Sequence, residues 1–159
     1  MDCMGKAVRS VCVVIVNYNT GAFLTECVRS VLRSSMPVRI VVSDNGSDDD
    51  SIKCLRSAVD GHPLVTIVEN HDNLGFARAN NVALSLCHCD YVLFLNPDCI
   101  IEPDTLEQMV AVLEQHPEAG MAGCLILNPD GSEQAGCRRY VPTPWRSFVR
   151  VFRLSRIFR

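Results

Sequence analysis

Tyr91-Val92-Leu93-Phe94-Leu95-Asn96-Pro97-Asp98 sets five apolar residues in an unbroken run and then stops it. A run without alternation reads as a central strand buried on both faces, as in a parallel sheet. Proline supplies no ladder donor, so the strand ends at Asn96-Pro97-Asp98. Asp98 is thereby held at the carboxyl end of the strand, where open α/β sheets place their ligands. Its carboxylate suits a divalent cation that also holds phosphates. Taken alone, the same tripeptide also fits an Asn-Pro-Asp turn with a purely structural role.

Working outward, Val11-Cys12-Val13-Val14-Ile15-Val16 is a second buried strand, ending in the polar turn Asn17-Tyr18-Asn19-Thr20-Gly21. Thr20 is placed to cap a helix whose Phe23, Leu24, Cys27, Val28, Val31 and Leu32 recur at helical spacing. Val38 to Ser43 is a third strand, followed directly by Asp44, Asn45, Gly46 and Ser47. Ser47 or an aspartate can cap the next helix, with Ile52, Leu55 and Val59 on its inner face, while Asp49 and Asp50 read as solvated carboxylates. Leu64 to Glu69 is a fourth strand. After it, Gly75 turns the chain into a helix carrying Ala79, Val82, Ala83 and Leu86. Arg78 falls in that helix's first turn, where a cation opposes the helix dipole. Either a bound anion or a nearby acid such as Asp72 would offset this. Glu102-Pro103-Asp104 opens a further helix. Gly120 to Leu127 reads as another strand before the turn Asn128-Pro129-Asp130-Gly131. Strands alternating with helices give an α/β fold, a mostly parallel sheet flanked by helices.

The chain has 159 residues, 48% of them hydrophobic, enough for one domain with a real core. Charge is uneven. Residues 1–137 hold 8 Lys/Arg against 18 Asp/Glu, and residues 138–159 hold seven arginines and no acid. The acidic body argues against nucleic-acid binding. The nine cysteines include no CxxC pair, and Cys87-His88-Cys89 lacks the spacing of a structural zinc site. With no signal-peptide pattern and no apolar run of membrane length, free thiols in a cytoplasmic protein are expected. Residues 144–159 read as a separate amphipathic helix after a body of residues 1–143. Arg146, Arg150, Arg153 and Arg156 lie on one side, and Phe148, Val151, Phe152 and Phe158 largely on another. That pattern fits a helix lying in an anionic membrane surface, and also one packed on another part of a longer protein.

In a parallel sheet the clusters at Asn17-Tyr18-Asn19, Asp44-Asn45, Asn73 through Asn81, and Asn96-Pro97-Asp98 share one edge. Together they suit a nucleoside diphosphate held with Mg²⁺ or Mn²⁺. A dinucleotide fits less well, because no GxGxxG follows the first strand.

Val13-Val14-Ile15-Val16-Asn17-Tyr18-Asn19, Val42-Ser43-Asp44-Asn45-Gly46-Ser47, Asn73-Leu74-Gly75-Phe76-Ala77-Arg78-Ala79-Asn80-Asn81 and Leu95-Asn96-Pro97-Asp98 resemble, in this order, the signatures of family 2 inverting glycosyltransferases of the GT-A fold. The Asn-Leu-Gly-Phe and Leu-Asn-Pro-Asp pair is most similar to the rhamnosyltransferase branch. So is Asn128-Pro129-Asp130-Gly131 followed by Arg138-Arg139-Tyr140. The resemblance covers about residues 11–146.

This resemblance implies transfer of a sugar, such as rhamnose, from a dTDP- or UDP-sugar to a lipid- or polysaccharide-linked acceptor. It implies work at the inner face of the cytoplasmic membrane. It places Asn17, Tyr18 and Asn19 beside base and ribose, and Asp44 on the base N–H. Asn73, Gly75, Arg78 and Asn80 would flank the nucleotide and diphosphate. Asn96 and Asp98 occupy the family's Asp-x-Asp metal motif, with Asp98 the main ligand to a divalent cation. The family's acceptor half supplies the catalytic base. After Arg139 this sequence has no acidic residue, so it reads as the donor-binding half of a longer enzyme, and no base is assigned. Apolar surface left uncovered by such a division would favour self-association.

Overall fold

The computed structural model describes residues 9–135 and Cys137. The expected helix at 144–159, and with it the boundary at 143, lies outside the described residues. The chain divides into two units, Met1–Ala122 and Gly123–Arg159.

The first unit alternates strand and helix: β1 (Val11–Asn17), α1 (Phe23–Leu32), β2 (Val38–Asp44), α2 (Ser51–Val59), β3 (Val65–Glu69), α3 (Phe76–Leu84), β4 (Tyr91–Leu95) and α4 (Thr105–Gln115). The four strands form one parallel sheet in the order β3-β2-β1-β4. The register aligns Asn17 with Asp44 and Asp44 with Glu69, so three strands finish level.

Strand pleating sends alternate residues to opposite faces. Val11, Val13 and Ile15 of β1 and Ile40 and Val42 of β2 meet Leu24, Val28 and Val31 of α1, Leu55 of α2, and Leu106 and Val110 of α4. On the other face Cys12, Val14 and Val41 pack with Ala83 of α3. Each fully buried aliphatic side chain contributes about 1.5–3 kcal/mol, so the larger first face carries most of the core. Phe23, read as part of that core, is exposed at the start of α1.

Two strand expectations need correction. Tyr91 to Leu95 does form a parallel strand, but it is the edge strand of the described sheet. Tyr91, Leu93 and Leu95 pack on the main core, whereas Val92 is 36% and Phe94 52% exposed. The reason is that α3 lies against β1 and β2, leaving the second face of β4 uncovered among the described residues. The segment 120–127 is not a strand. Asn128-Pro129-Asp130-Gly131 folds the chain back, with Asn128 N–H bonded to Ser132 O at 2.8 Å and Gln134 N–H to Ile126 O at 2.9 Å. The result is a single antiparallel bridge, Leu127 to Glu133.

The free-thiol expectation also fails at one pair. Cys12 of β1 and Cys87, three residues beyond α3, form a disulfide across 75 residues. Periodicity cannot reveal a pairing at that separation. The link ties the end of α3 to the centre of the sheet. In the chain-entropy account a loop this long constrains the unfolded chain by about 4.5 kcal/mol. Reduction is therefore expected to lower the unfolding free energy by about that amount, read from the shift in denaturant midpoint, with the intact mass rising by two hydrogens. An unchanged midpoint after complete reduction would contradict this. Among the described residues, no helix is long and apolar enough to cross a membrane.

Candidate functional site at the carboxyl edge of the sheet

The polar clusters stand at the carboxyl ends of four parallel strands, and their centre is a buried network. Asn17 closes β1 with its side chain fully buried. Its Nδ2 donates to Asp44 Oδ1 at 2.8 Å, with Ser51 Oγ at 2.9 Å and Ser47 Oγ at 3.0 Å sharing the same amide. Its Oδ1 accepts the Thr20 hydroxyl. Thr20 therefore serves the network and does not cap α1, which has no side-chain cap.

Asp44 is the last residue of β2 and is 3% exposed. Besides Asn17 it accepts Ser47 Oγ at 2.6 Å on Oδ1 and Ser47 N–H at 3.0 Å on Oδ2. A carboxylate has about four acceptor positions. Three are filled, which leaves one position on Oδ2 without a donor among the described residues.

Ser47 also accepts Asn19 N–H at 3.0 Å, and Asn19 Oδ1 accepts Asp48 N–H at 2.9 Å. These bonds hold Asn19 in a left-handed conformation, φ 52°, and leave the Tyr18 ring half exposed. Asp49 is exposed but is more than a solvated carboxylate. It accepts Gly21 N–H at 2.8 Å and both the N–H and hydroxyl of Ser51. The Ser51 hydroxyl, foremost among these, holds the Asp49 carboxyl below its usual range.

A second set of amides follows β3. Asn70 Nδ2 donates to Ser43 Oγ at 2.9 Å, and Asn45 Nδ2 donates to Asn73 Oδ1 at 3.0 Å. Asn73 Oδ1 also accepts Gly75 N–H at 3.0 Å. Gly75 has φ 80°, a conformation glycine adopts without strain, and α3 starts beyond it without a side-chain cap. Arg78 stands exposed in that first turn. No ion pair joins it to Asp72 or to another acid among the described residues. Asn80 is buried and turned inward, its Nδ2 donating to Phe76 O at 2.9 Å.

At the end of β4, Asn96 and Asp98 are both exposed. Asn96 O accepts Cys99 N–H at 3.1 Å and faces the Cys27 thiol at 3.5 Å. Burial pushes that thiol up to about 12, so Cys27 stays a neutral packing group beneath the loop. Among the described residues no three His, Cys, Asp or Glu side chains gather as a complete metal cage. One open carboxylate at Asp98 fits a cation that takes its remaining ligands from phosphate and water.

Asn17, Asp44, Ser47 and Ser51 thus converge in one network, and Asn45, Asn70, Asn73 and Gly75 in a neighbouring one. Arg78 and Asp98 stand on the same edge with their charged groups open. Sequence reading singled out neither Ser51 nor Asn70, because each acts through a bond to a distant segment. Their only signal was a polar residue within a strand-end cluster.

Comparison with known proteins bears on the family and the fold. The sequence model for glycosyl transferase family 2 matches residues 12–155. N-acetylglucosaminyl-diphospho-decaprenol L-rhamnosyltransferase of Mycobacterium tuberculosis is 30% identical over 139 residues, covering 80% of this chain and 44% of its own length. Chondroitin synthase of Escherichia coli is 32% identical over 103 residues, covering 64% of this chain and 15% of its own. The chain therefore spans less than half the length of these relatives. Among solved structures, mannosyltransferase PcManGT from Pyrobaculum calidifontis, in complex with GDP-Man and Mn²⁺, superposes with a TM-score of 0.64. It is 26% identical, over 76% of this chain and 36% of that one. S. aureus TarS 1–349 with UDP-GlcNAc, 24% identical over 68% and 32%, shares the fold with a TM-score of 0.61.

Proposed function

The chain belongs to glycosyl transferase family 2 and has the GT-A fold, and from that premise we propose that it is the donor-binding part of an inverting glycosyltransferase. The donor is a pyrimidine nucleoside diphospho-sugar, a dTDP- or UDP-sugar. The acceptor is lipid- or polysaccharide-linked. The observation that carries this reading is the meeting of four polar strand ends on one edge, where Arg78 and Asp98 are both exposed.

Each residue then has a physical task. The turn Asn17-Tyr18-Asn19 borders the base and ribose, with Tyr18 offering an exposed ring face. Asp44 accepts the base N–H on its remaining lone pair. The diphosphate lies toward Gly75 and Arg78, where an uncapped helix start and a guanidinium both favour negative charge. Asp98 holds the divalent cation, with Asn96 beside it. Such a cation would offset charge growing on the leaving diphosphate. In inverting transfer the acceptor oxygen bonds to the anomeric carbon as the bond to the diphosphate breaks. The base that takes the acceptor proton is not assigned to this chain.

Rhamnose as the sugar is supported by the Asn73-Leu74-Gly75-Phe76 and Leu95-Asn96-Pro97-Asp98 pair and by the mycobacterial relative. On the same reading the arginine-rich segment 144–159 meets the anionic membrane surface that carries a lipid-linked acceptor. Saturation-transfer NMR with dTDP-rhamnose and UDP-GlcNAc tests the donor reading. The expected result is strong saturation of base and ribose protons, displaced by dTDP or UDP. Absence of saturation for every nucleotide-sugar tried would overturn it.

A further inference from the structure

The start of α3 is aimed from outside the helix. α3 buries only Ala79, Asn80 and Ala83 and has no side-chain cap, so its own packing fixes the first turn weakly. The preceding segment, residues 70–75, is instead clamped to the end of β2. Asn45, 3% exposed, is the centre of the clamp. Its Oδ1 accepts Leu74 N–H at 3.2 Å and Asn70 Nδ2 at 3.4 Å, while its Nδ2 donates to Asn73 Oδ1 at 3.0 Å. Asn70 N–H continues the sheet onto Asp44 O at 2.8 Å. Next to Asn45, Gly46 lies against the backbone of Asp72. A Cβ there would meet three of its atoms at 3.1 Å, at a φ of +77°.

We propose that Asn45 is a positioning residue that sets the start of α3, and through it Arg78, for a nucleoside diphosphate. The inference rests on the donor reading above and adds a residue and a task to it. The primary amide does what this site needs, accepting from the 74 amide on one atom while donating to Asn73 from the other. A carboxylate at 45 would keep the accepted bonds but set two oxygens against each other at the Asn73 contact. An alanine would release the whole segment. The base side of the site hangs on Asn17, Asp44 and Ser47 and does not pass through the Asn45 side chain.

The test is NMR titration of the full chain with uridine and with UDP in Mg²⁺, on the wild type, Asn45→Ala, Asn45→Asp, Arg78→Ala and the Asn45→Ala/Arg78→Ala pair. Exchange of the Leu74 and Gly75 amides is read in the same samples. Asn45→Ala is expected to lower the UDP-to-uridine affinity ratio about tenfold, with Asn45→Asp between it and the wild type. Uridine affinity is expected to hold within about twofold, and the double variant to bind UDP no more weakly than Arg78→Ala alone. Faster exchange at Leu74 and Gly75 should accompany the loss. Equal losses for uridine and UDP, or losses that multiply in the double variant, would overturn the positioning role and leave the donor reading intact. A wild type that binds neither ligand would remove the donor reading and this inference with it.

Discussion

Asp44→Ala is expected to lose about 3 kcal/mol or more of stability, together with all nucleotide binding. Asp44 lies at 3% exposure at the end of β2. Its carboxylate is the shared acceptor for the Asn17 amide, the Ser47 hydroxyl and the Ser47 N–H. Truncation strands the Ser47 hydroxyl and N–H, while the Asn17 amide keeps Ser47 Oγ and Ser51 Oγ as acceptors. Each buried donor left unmet costs about 1–3 kcal/mol. The damage spreads because Ser47 also orients Asn19 and Asn17 also bonds Ser51 and Thr20. Asp44→Asn is expected to be milder. It keeps shape and one acceptor but turns a donor toward Asn17 or Ser47. Urea denaturation of the two variants beside the wild type measures both effects. An unfolding free energy for Asp44→Ala within about 0.5 kcal/mol of the wild type, the range of an ordinary surface change, would contradict the network's role.

Asp98→Ala is expected to do the opposite, leaving stability unchanged while removing the metal-dependent part of nucleotide affinity. Asp98 is exposed, and its only described partner is the Cys99 thiol at a weak 3.8 Å. Little folding energy rests on it. It is an open carboxylate just past the end of β4, and no cage of three protein ligands gathers among the described residues. The gain in UDP affinity from Mn²⁺ is expected to fall by on the order of 100-fold. Asp98→Asn should retain a small part, since an amide oxygen is a weaker ligand for a hard cation.

The parallel α/β frame was legible because β1 is a near-continuous apolar run, β2 carries Ile40-Val41-Val42, and a helix-period segment follows each strand. The place of β4 within the sheet was not. Tyr91 to Leu95 is as apolar as β1, yet Phe94 is exposed. Strand order depends on which segments pair, and an apolar run does not encode its neighbours. The segment 120–127 misled for a related reason. Its residues suit a strand, but the turn at 128–131 gives it only a single bridge. At the site, Asp98 and Arg78 could be read directly, since a charge at a strand end or in a helix's first turn stands out locally. The work of Asn45, Ser51 and Asn70 could not, because it consists of bonds to residues 25 to 34 positions away. The Cys12–Cys87 link is the extreme case, at a separation of 75.

The most direct test of the donor-site account is calorimetric titration of UDP and dTDP, with and without Mn²⁺, into the wild type and Asp98→Ala. The account expects Mn²⁺-dependent binding of at least one of them by the wild type, and its loss in Asp98→Ala at unchanged thermal stability. Binding that needs no metal and survives Asp98→Ala would contradict the assignment of the diphosphate-linked cation to Asp98. No binding by the wild type in any condition would contradict the donor site itself.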